Sequence, residues 1–177
     1  NYSVVFETHP AGEDLIDPDQ MQHRIALWAA WLTQRGADEG IRGASVTIES
    51  SPDSGLRLRS LIHSNRTSDS PEFAQIVTNQ IESSFQGGAP QLVARISVTF
   101  SGKRVDGQAG DRGTAEMAEE IAARVPTIRA ELAGTGAGAV KACTAQQITD
   151  FTRVAYDPTV ANTVEEMQAD GGTGLLW

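Results

Sequence analysis

The chain has 177 residues, a formal net charge of -9 and a pI near 4.7. This acidic balance argues against general binding to nucleic acids or anionic membranes, because both need clustered Lys and Arg. The length suits one domain with its own core, and 40% hydrophobic with 21% charged residues are ordinary globular values. The single cysteine, Cys143, excludes an internal disulfide, fits a reducing compartment, and is expected to be a small buried residue.

The first 50 residues predict a strand, a helix and a second strand. Residues 2–8 have the bulky composition of a strand. Asp17-Pro18 supplies a cap and a proline for a helix that runs to about Arg35. The apolar residues of this helix have the spacing of one buried face: Met21, Ile25, Trp28 and Leu32. Residues 44–49 alternate as a strand does, so this part predicts a βαβ unit.

The middle of the chain predicts a helix and the clearest strand. Residues 56–63 alternate like a strand but fit a helical turn equally well. Ser70-Pro71 begins an amphipathic helix that ends near Gly87. Its apolar positions are Phe73, Ile76, Val77, Ile81 and Phe85. Residues 92–100 concentrate Val, Ile, Thr and Phe, which predicts a strand.

The last third of the chain predicts a loop, two helices and a weak strand. Residues 101–113 form a glycine-rich, charged loop that is expected to be mobile or to contact a partner. A helix is expected from Thr114 to Gly134, where Pro126 predicts a kink or a break. Residues 137–143 predict a weak strand, and a capping box over 144–147 starts a helix that ends at 156–158.

These elements predict an α+β fold with the order β-α-β-α-β-α-β-α. Two split βαβ units that share one sheet give a ferredoxin-like arrangement, with a four-stranded, mainly antiparallel sheet covered by helices. We expect a single domain over 1–158, a linker over 159–174 and the start of a following element at 175–177. The abrupt, apolar ends lead us to expect a fragment of a longer protein.

The sequence predicts no catalytic, cofactor or metal site. His9, His23 and His63 lie in separate predicted elements without a nucleophile motif, so they are expected at the surface. The glycine-rich segment 134–138 follows a helix instead of preceding one, which favours a turn over a phosphate loop. The acids of the 101–113 loop lack the pattern of a calcium loop and are interpreted as solvated charges.

A few residues are candidate contacts for a protein partner. Trp28 is expected in the core, whereas Trp31 sits at the edge of the apolar stripe and is interpreted as core edge or as an exposed anchor. The candidate partner contacts are Trp31, Arg57, Arg59, Lys103 and Arg104. The patch of Arg57, Arg59 and Arg66 could meet an acidic partner or RNA, but simple solvation is the favoured interpretation in a chain of charge -9.

Several segments resemble a family of actinobacterial membrane proteins associated with conjugative elements and type IV-like secretion modules. The similar segments, in the same order as in that family, are Trp28 to Leu32, Ile41 to Gly55, Ala94 to Ser101, Val125 to Leu132, and Thr144 to Pro158. The architecture is also similar to the N-terminal regions of conjugation ATPases, whose nucleotide motifs are missing from this sequence. The resemblance rests on scaffold residues, so it transfers no catalytic residue.

The resemblance implies a non-enzymatic assembly domain of a membrane-anchored conjugation or secretion component. Such a domain would follow transmembrane helices outside this sequence, lie on the cytoplasmic side, and contact other subunits of its complex through its sheet edge and loops. No cofactor and no direct nucleic-acid contact are expected. Two alternatives stay open: a ferredoxin-like module that binds a small ligand or nucleic acid through an exposed sheet face, and a small hydrolase or transferase that uses His63.

Overall fold

The computed structural model describes residues 1–10, 16–52, 55–67, 70–84, 90–104, 110–169, 172 and 174. Its contacts group the chain into two compact units. Unit 1 contains residues 1–49 and 92–143, and unit 2 contains residues 50–91 and 144–177. Each unit is therefore formed by two separate segments of the chain, and the expected domain over 1–158 stays a prediction.

The described residues form four strands, six α-helices and one short 3-10 helix. The strands are β1 (Tyr2–His9), β2 (Ile41–Pro52), β3 (Pro90–Phe100) and β4 (Ala139–Ala142). The helices are α1 (Pro18–Ala37), α2 (Leu56–Asn65), α3 (Glu72–Ser84), α4 (Thr114–Gly134), α5 (Ala145–Tyr156), the 3-10 helix η1 (Pro158–Val160) and α6 (Ala161–Ala169). The four predicted strands are all present, with β2 longer than its predicted core.

The four strands form one antiparallel sheet in the order β2-β3-β1-β4. β1 pairs with β3 so that Phe6 lies opposite Ile96, and it pairs with β4 so that Phe6 lies opposite Ala142. The α+β class and the four-stranded antiparallel sheet with helices are thus confirmed. β1 and β3 are the central strands, and alternate residues are buried at Phe6 and Thr8 of β1 and from Ala94 to Phe100 of β3.

The core of unit 1 lies between one face of the sheet and helices α1 and α4. Phe6, Val98 and Phe100 point into it from the central strands, and Ile128 and Leu132 point into it from α4. Each of these side chains is at most 1% exposed. The predicted inward stripe of α4 is confirmed, and this helix continues through Pro126, which lies on its exposed side.

A glycine turn joins α4 to β4. Gly138 has φ +75°, and a Cβ at this position would come within 2.0 Å of the backbone oxygen of His9. Only glycine combines that backbone conformation with so close an approach. The segment 134–138 is therefore a tight turn beside β1, in agreement with the sequence interpretation.

Unit 2 contains α2, α3, α5, η1 and α6. Residues 56–65 are helical, which resolves the ambiguity between strand and helix. The capping box of α5 is confirmed, because Thr144 Oγ1 accepts from Gln147 N at 3.2 Å and Gln147 Oε1 accepts from Thr144 N at 2.9 Å. Residues 159–169, which fall in the linker expected over 159–174, form the end of η1 and helix α6. Val164 of α6 is 6% exposed, so this segment contributes to a packed structure.

Candidate interaction surfaces

Helix α1 turns a different face to the core from the one that its sequence predicts. Trp31 is 2% exposed and belongs to the core, with Trp28 partly buried beside it. Their rings stack with centroids 5.2 Å apart, and the Arg35 guanidinium lies 5.8 Å from the Trp31 ring. Trp31 is therefore buried too deeply to anchor a partner, and that interpretation is wrong.

One exposed side of α1 is apolar and uncharged. Ile25 is 55% exposed and Leu32 is 45% exposed, although the sequence predicts both to be buried. Between them lies exposed Ala29, and one turn beyond Leu32 lies exposed Gly36. We call Ile25, Ala29, Leu32 and Gly36 the α1 stripe. At about 100° per residue, its four members lie roughly 100° to 160° around the helix from Trp31, so the stripe is on a side of α1 separate from the buried tryptophan.

Helix α3 directs its apolar residues away from its neighbour α2. Gln75 and Thr78 line the cleft between the two helices, and Glu82 on the same side lies 3.5 Å from His63 of α2. The opposite side carries Phe73, Ile76 and Ile81, which are 77%, 56% and 46% exposed. No residue of α3 is classed as buried among those described. We call Phe73, Ile76 and Ile81 the α3 surface.

The cleft between α2 and α3 has a volume of about 380 Å³ and mixed chemistry. Leu61, Ile62 and Ala74 supply apolar lining, whereas Asn65, Arg66 and Ser70 supply polar lining. Arg66 donates to Asn79 Oδ1 at 3.2 Å, and Gln75 donates to the Ser70 backbone oxygen at 2.8 Å. The polar groups of this cleft are thus largely engaged with one another.

The three histidines lie at the surface, as the sequence predicts. His63 is 62% exposed and faces Glu82, and His9 lies 3.8 Å from Glu7. Within the described part of the chain, no hydroxyl group is hydrogen-bonded to either ring. Three or more His, Cys, Asp or Glu side chains in a metal-binding arrangement are likewise not found among the described residues.

The second face of the sheet, opposite α1 and α4, carries a row of alternating charges. In order across the strands β4, β1, β3 and β2, the row consists of Lys141, Glu7, Arg95 and Glu49. Arg95 Nη2 lies 3.1 Å from Glu7, and Arg95 Nη1 also pairs with Glu49. Further along the same face, beyond the Val5–Ser97 pair, Ser3 and Thr99 share a hydroxyl hydrogen bond of 2.9 Å.

Cys143 lies beside this charge row and is partly buried. Its backbone N–H donates to the Val5 oxygen at 2.8 Å, which continues the pairing of β4 with β1. Burial raises the pKa of the Cys143 thiol, and the nearby Glu7 carboxylate raises it further. The expectation of a small buried residue is met in part, since the side chain keeps some exposure.

The other candidate contacts have separate positions. Arg59 is exposed on α2, and Arg57 belongs to the same helix, but its side chain is outside the described residues. Lys103 forms a β-bridge with Asp111 at the base of the 101–113 loop. Arg104 pairs with Glu116 at 2.7 Å. The ends of this loop are therefore structured, while residues 105–109 lie outside the described part.

Sequence reasoning missed the exposure of the α1 stripe and the outward orientation of the α3 surface. The signal for the first was present: between Gln20 and Ala37, Arg24 and Arg35 are the charged residues, and both are partly buried. A helix whose outer side carries no charge is unusual for a surface exposed to water alone.

No helix among the described residues is long and apolar enough to span a membrane. No family model, curated protein or solved structure matches this chain. No residue's role is therefore transferred from another protein.

Proposed function

We propose that this chain is an assembly domain that binds another protein through the α3 surface. The observation that carries this proposal is the exposure of Phe73, Ile76 and Ile81 on one side of a helix whose polar side faces α2. Large apolar side chains grouped on one exposed face typically mark a site of protein contact. Aromatic anchors such as Phe73 contribute strongly when they are buried in an interface.

The partner we propose is another subunit of a membrane-anchored conjugation or secretion complex, with this domain on the cytoplasmic side. The sequence resemblance supports this choice of complex, and the α3 surface supports a protein as the partner. The role is non-enzymatic: the domain supplies a rigid body and a contact surface to its assembly.

The proposed fold of unit 1 is the ferredoxin-like arrangement of two split βαβ units. The strand order β2-β3-β1-β4, with β1 antiparallel to both neighbours, supports it. In such an arrangement α1 connects β1 to β2, and α4 connects β3 to β4. Helices α2 and α3 then form an insertion between β2 and β3.

The test compares Phe73→Glu with Ala155→Glu in the full-length protein. Both changes add one negative charge to an exposed helical position of unit 2. The pull-down uses cells that carry the complete conjugative element. It should recover the ATPase or channel subunits of that complex with the wild type and with Ala155→Glu. Recovery should be lost with Phe73→Glu. Equal recovery with both variants, or no such subunit with the wild type, contradicts the proposal.

A further inference from the structure

The α1 stripe alternates large and small residues on an exposed side of a 20-residue helix. Its members follow one another at intervals of four, three and four residues: Ile25, Ala29, Leu32 and Gly36. This is the seam spacing of helices that pack along their length. Nothing lies within 4 Å of where a Cβ of Gly36 would be, so the small end of the stripe is open.

The surroundings of the α1 stripe lack charge, although the whole chain carries -9. Arg24 lies against Gly136, and Arg35 pairs with Glu131 at 3.1 Å, so both arginines are directed toward α4 and the turn that follows it. The exposed positions from 20 to 37 are Gln, His, Ile, Ala, Leu, Thr and Gly. Two acidic molecules can therefore meet at this face without placing like charges in contact.

We infer that α1 of one copy binds α1 of a second copy in antiparallel orientation about a two-fold axis. In this orientation the stripe is its own complement. Ile25 of each copy lies across from Gly36 of the other, and Leu32 of each copy lies across from Ala29 of the other. Every large side chain thus enters a space left by a small one, which allows the two helices to approach closely.

A two-fold contact must present the same patch from both sides, so a helix that pairs with its own copy needs a stripe that complements itself. The reversed order of large and small residues satisfies this condition. Antiparallel helix dipoles also place the N-terminus of one helix near the C-terminus of the other, which is favourable.

The contact is small, so the dimer is expected to be concentration-dependent. A helix of this length spans about 30 Å. A single pair of such helices offers less than the ~800 Å² per partner of a standard interface. The inference adds a partner to the proposed assembly role but uses a different surface from α3, in the other unit.

Sedimentation velocity of the purified chain alone tests the inference. The wild type should pass from 18.9 kDa toward twice that mass as its concentration rises. Ala29→Glu should weaken the association at least about tenfold, because it buries an unpaired carboxylate in the contact. Gln34→Glu adds the same charge about 140° around the helix from Ala29 and should leave the association unchanged.

Cross-linking independently tests which face of α1 is in contact. In a Cys143→Ser background, a short bismaleimide should join two copies of Ala29→Cys but not two copies of Gln34→Cys. A wild type that stays monomeric overturns the inference, as does a dimer that tolerates Ala29→Glu or is lost equally with Gln34→Glu. Because no other protein is present, these results leave the α3 surface and its pull-down test untouched.

Discussion

At the scale of single residues, charged side chains on the second face of the sheet affect the pKa of the Cys143 thiol. Arg95 holds Glu7 and Glu49 from the middle of the sheet, and Glu7 lies close enough to Cys143 to raise the pKa of its thiol. Burial is the larger cause of this raised pKa. None of these relations is visible in the sequence, because the residues are far apart along the chain and meet only when the four strands pair.

We expect Glu7→Gln to make Cys143 react faster with iodoacetamide at pH 8. Removal of the carboxylate lowers the pKa of the thiol, so a larger fraction is present as the reactive thiolate. The acceleration should stay below the roughly tenfold that one full pKa unit would give, since burial is unchanged. Lys141→Gln removes a positive charge that lowers the same pKa and should slow the reaction. An unchanged or slower rate in Glu7→Gln would contradict this assignment.

At the scale of elements, the helices show where sequence patterns succeed and where they do not. The inward stripe of α4 and the capping box of α5 follow from local spacing and local hydrogen bonds, and both were predicted correctly. For α1 the same spacing rule selects the wrong face, because the helix is apolar on two sides and only tertiary packing decides that Trp31 enters the core.

For α6, the sequence pattern predicts a linker where the structure has a packed helix. Glu165, Glu166 and the glycines beyond the helix suggest a linker, but Val164 and Gln168 are drawn into unit 2. Gln168 Nε2 donates to Oδ2 of Asp150 at 2.8 Å, and Gln146 Nε2 donates to Oδ1 at 3.0 Å. Asp150 is 1% exposed, so these two amides supply hydrogen bonds to a carboxyl group that is buried away from solvent.

We expect Gln168→Ala to lower the free energy of unfolding by about 1–3 kcal/mol, because a buried acceptor loses a donor. Glu166→Ala, on the exposed side of the same helix, should change it by no more than about 0.5 kcal/mol. Urea denaturation followed by circular dichroism measures both values. Equal effects of the two variants would show that the contact between Gln168 and Asp150 contributes little.

At the scale of the whole molecule, segments of the two units alternate along the chain. Unit 2 is formed by one segment inserted between β2 and β3 and by another that follows β4. The number and class of elements could be predicted from the sequence, but the sheet order could not, since it depends on pairings between distant strands.

The strand order predicts that unit 1 folds without unit 2. β2 and β3 are antiparallel neighbours, so a flexible Gly-Ser linker of about six residues can join them in place of residues 50–91. We expect a chain of residues 1–49, this linker and 92–143 to unfold cooperatively, with Leu132→Ala costing about 2–5 kcal/mol in it. The same substitution in the whole chain is the control. A shortened chain without a cooperative transition would contradict both this prediction and the proposed ferredoxin-like arrangement of unit 1.

The charge row across the sheet also bears on how the strands find their correct alignment. A shift of β1 by two residues against β3 keeps apolar side chains on the core face, so hydrophobicity alone tolerates it. Such a shift would set Arg95 opposite Val5 or His9 instead of Glu7, and it would leave a carboxylate without its cation. The charge row thus helps to specify strand register, because its ion pairs form only in the correct alignment and are lost in shifted alignments that the apolar pattern would allow.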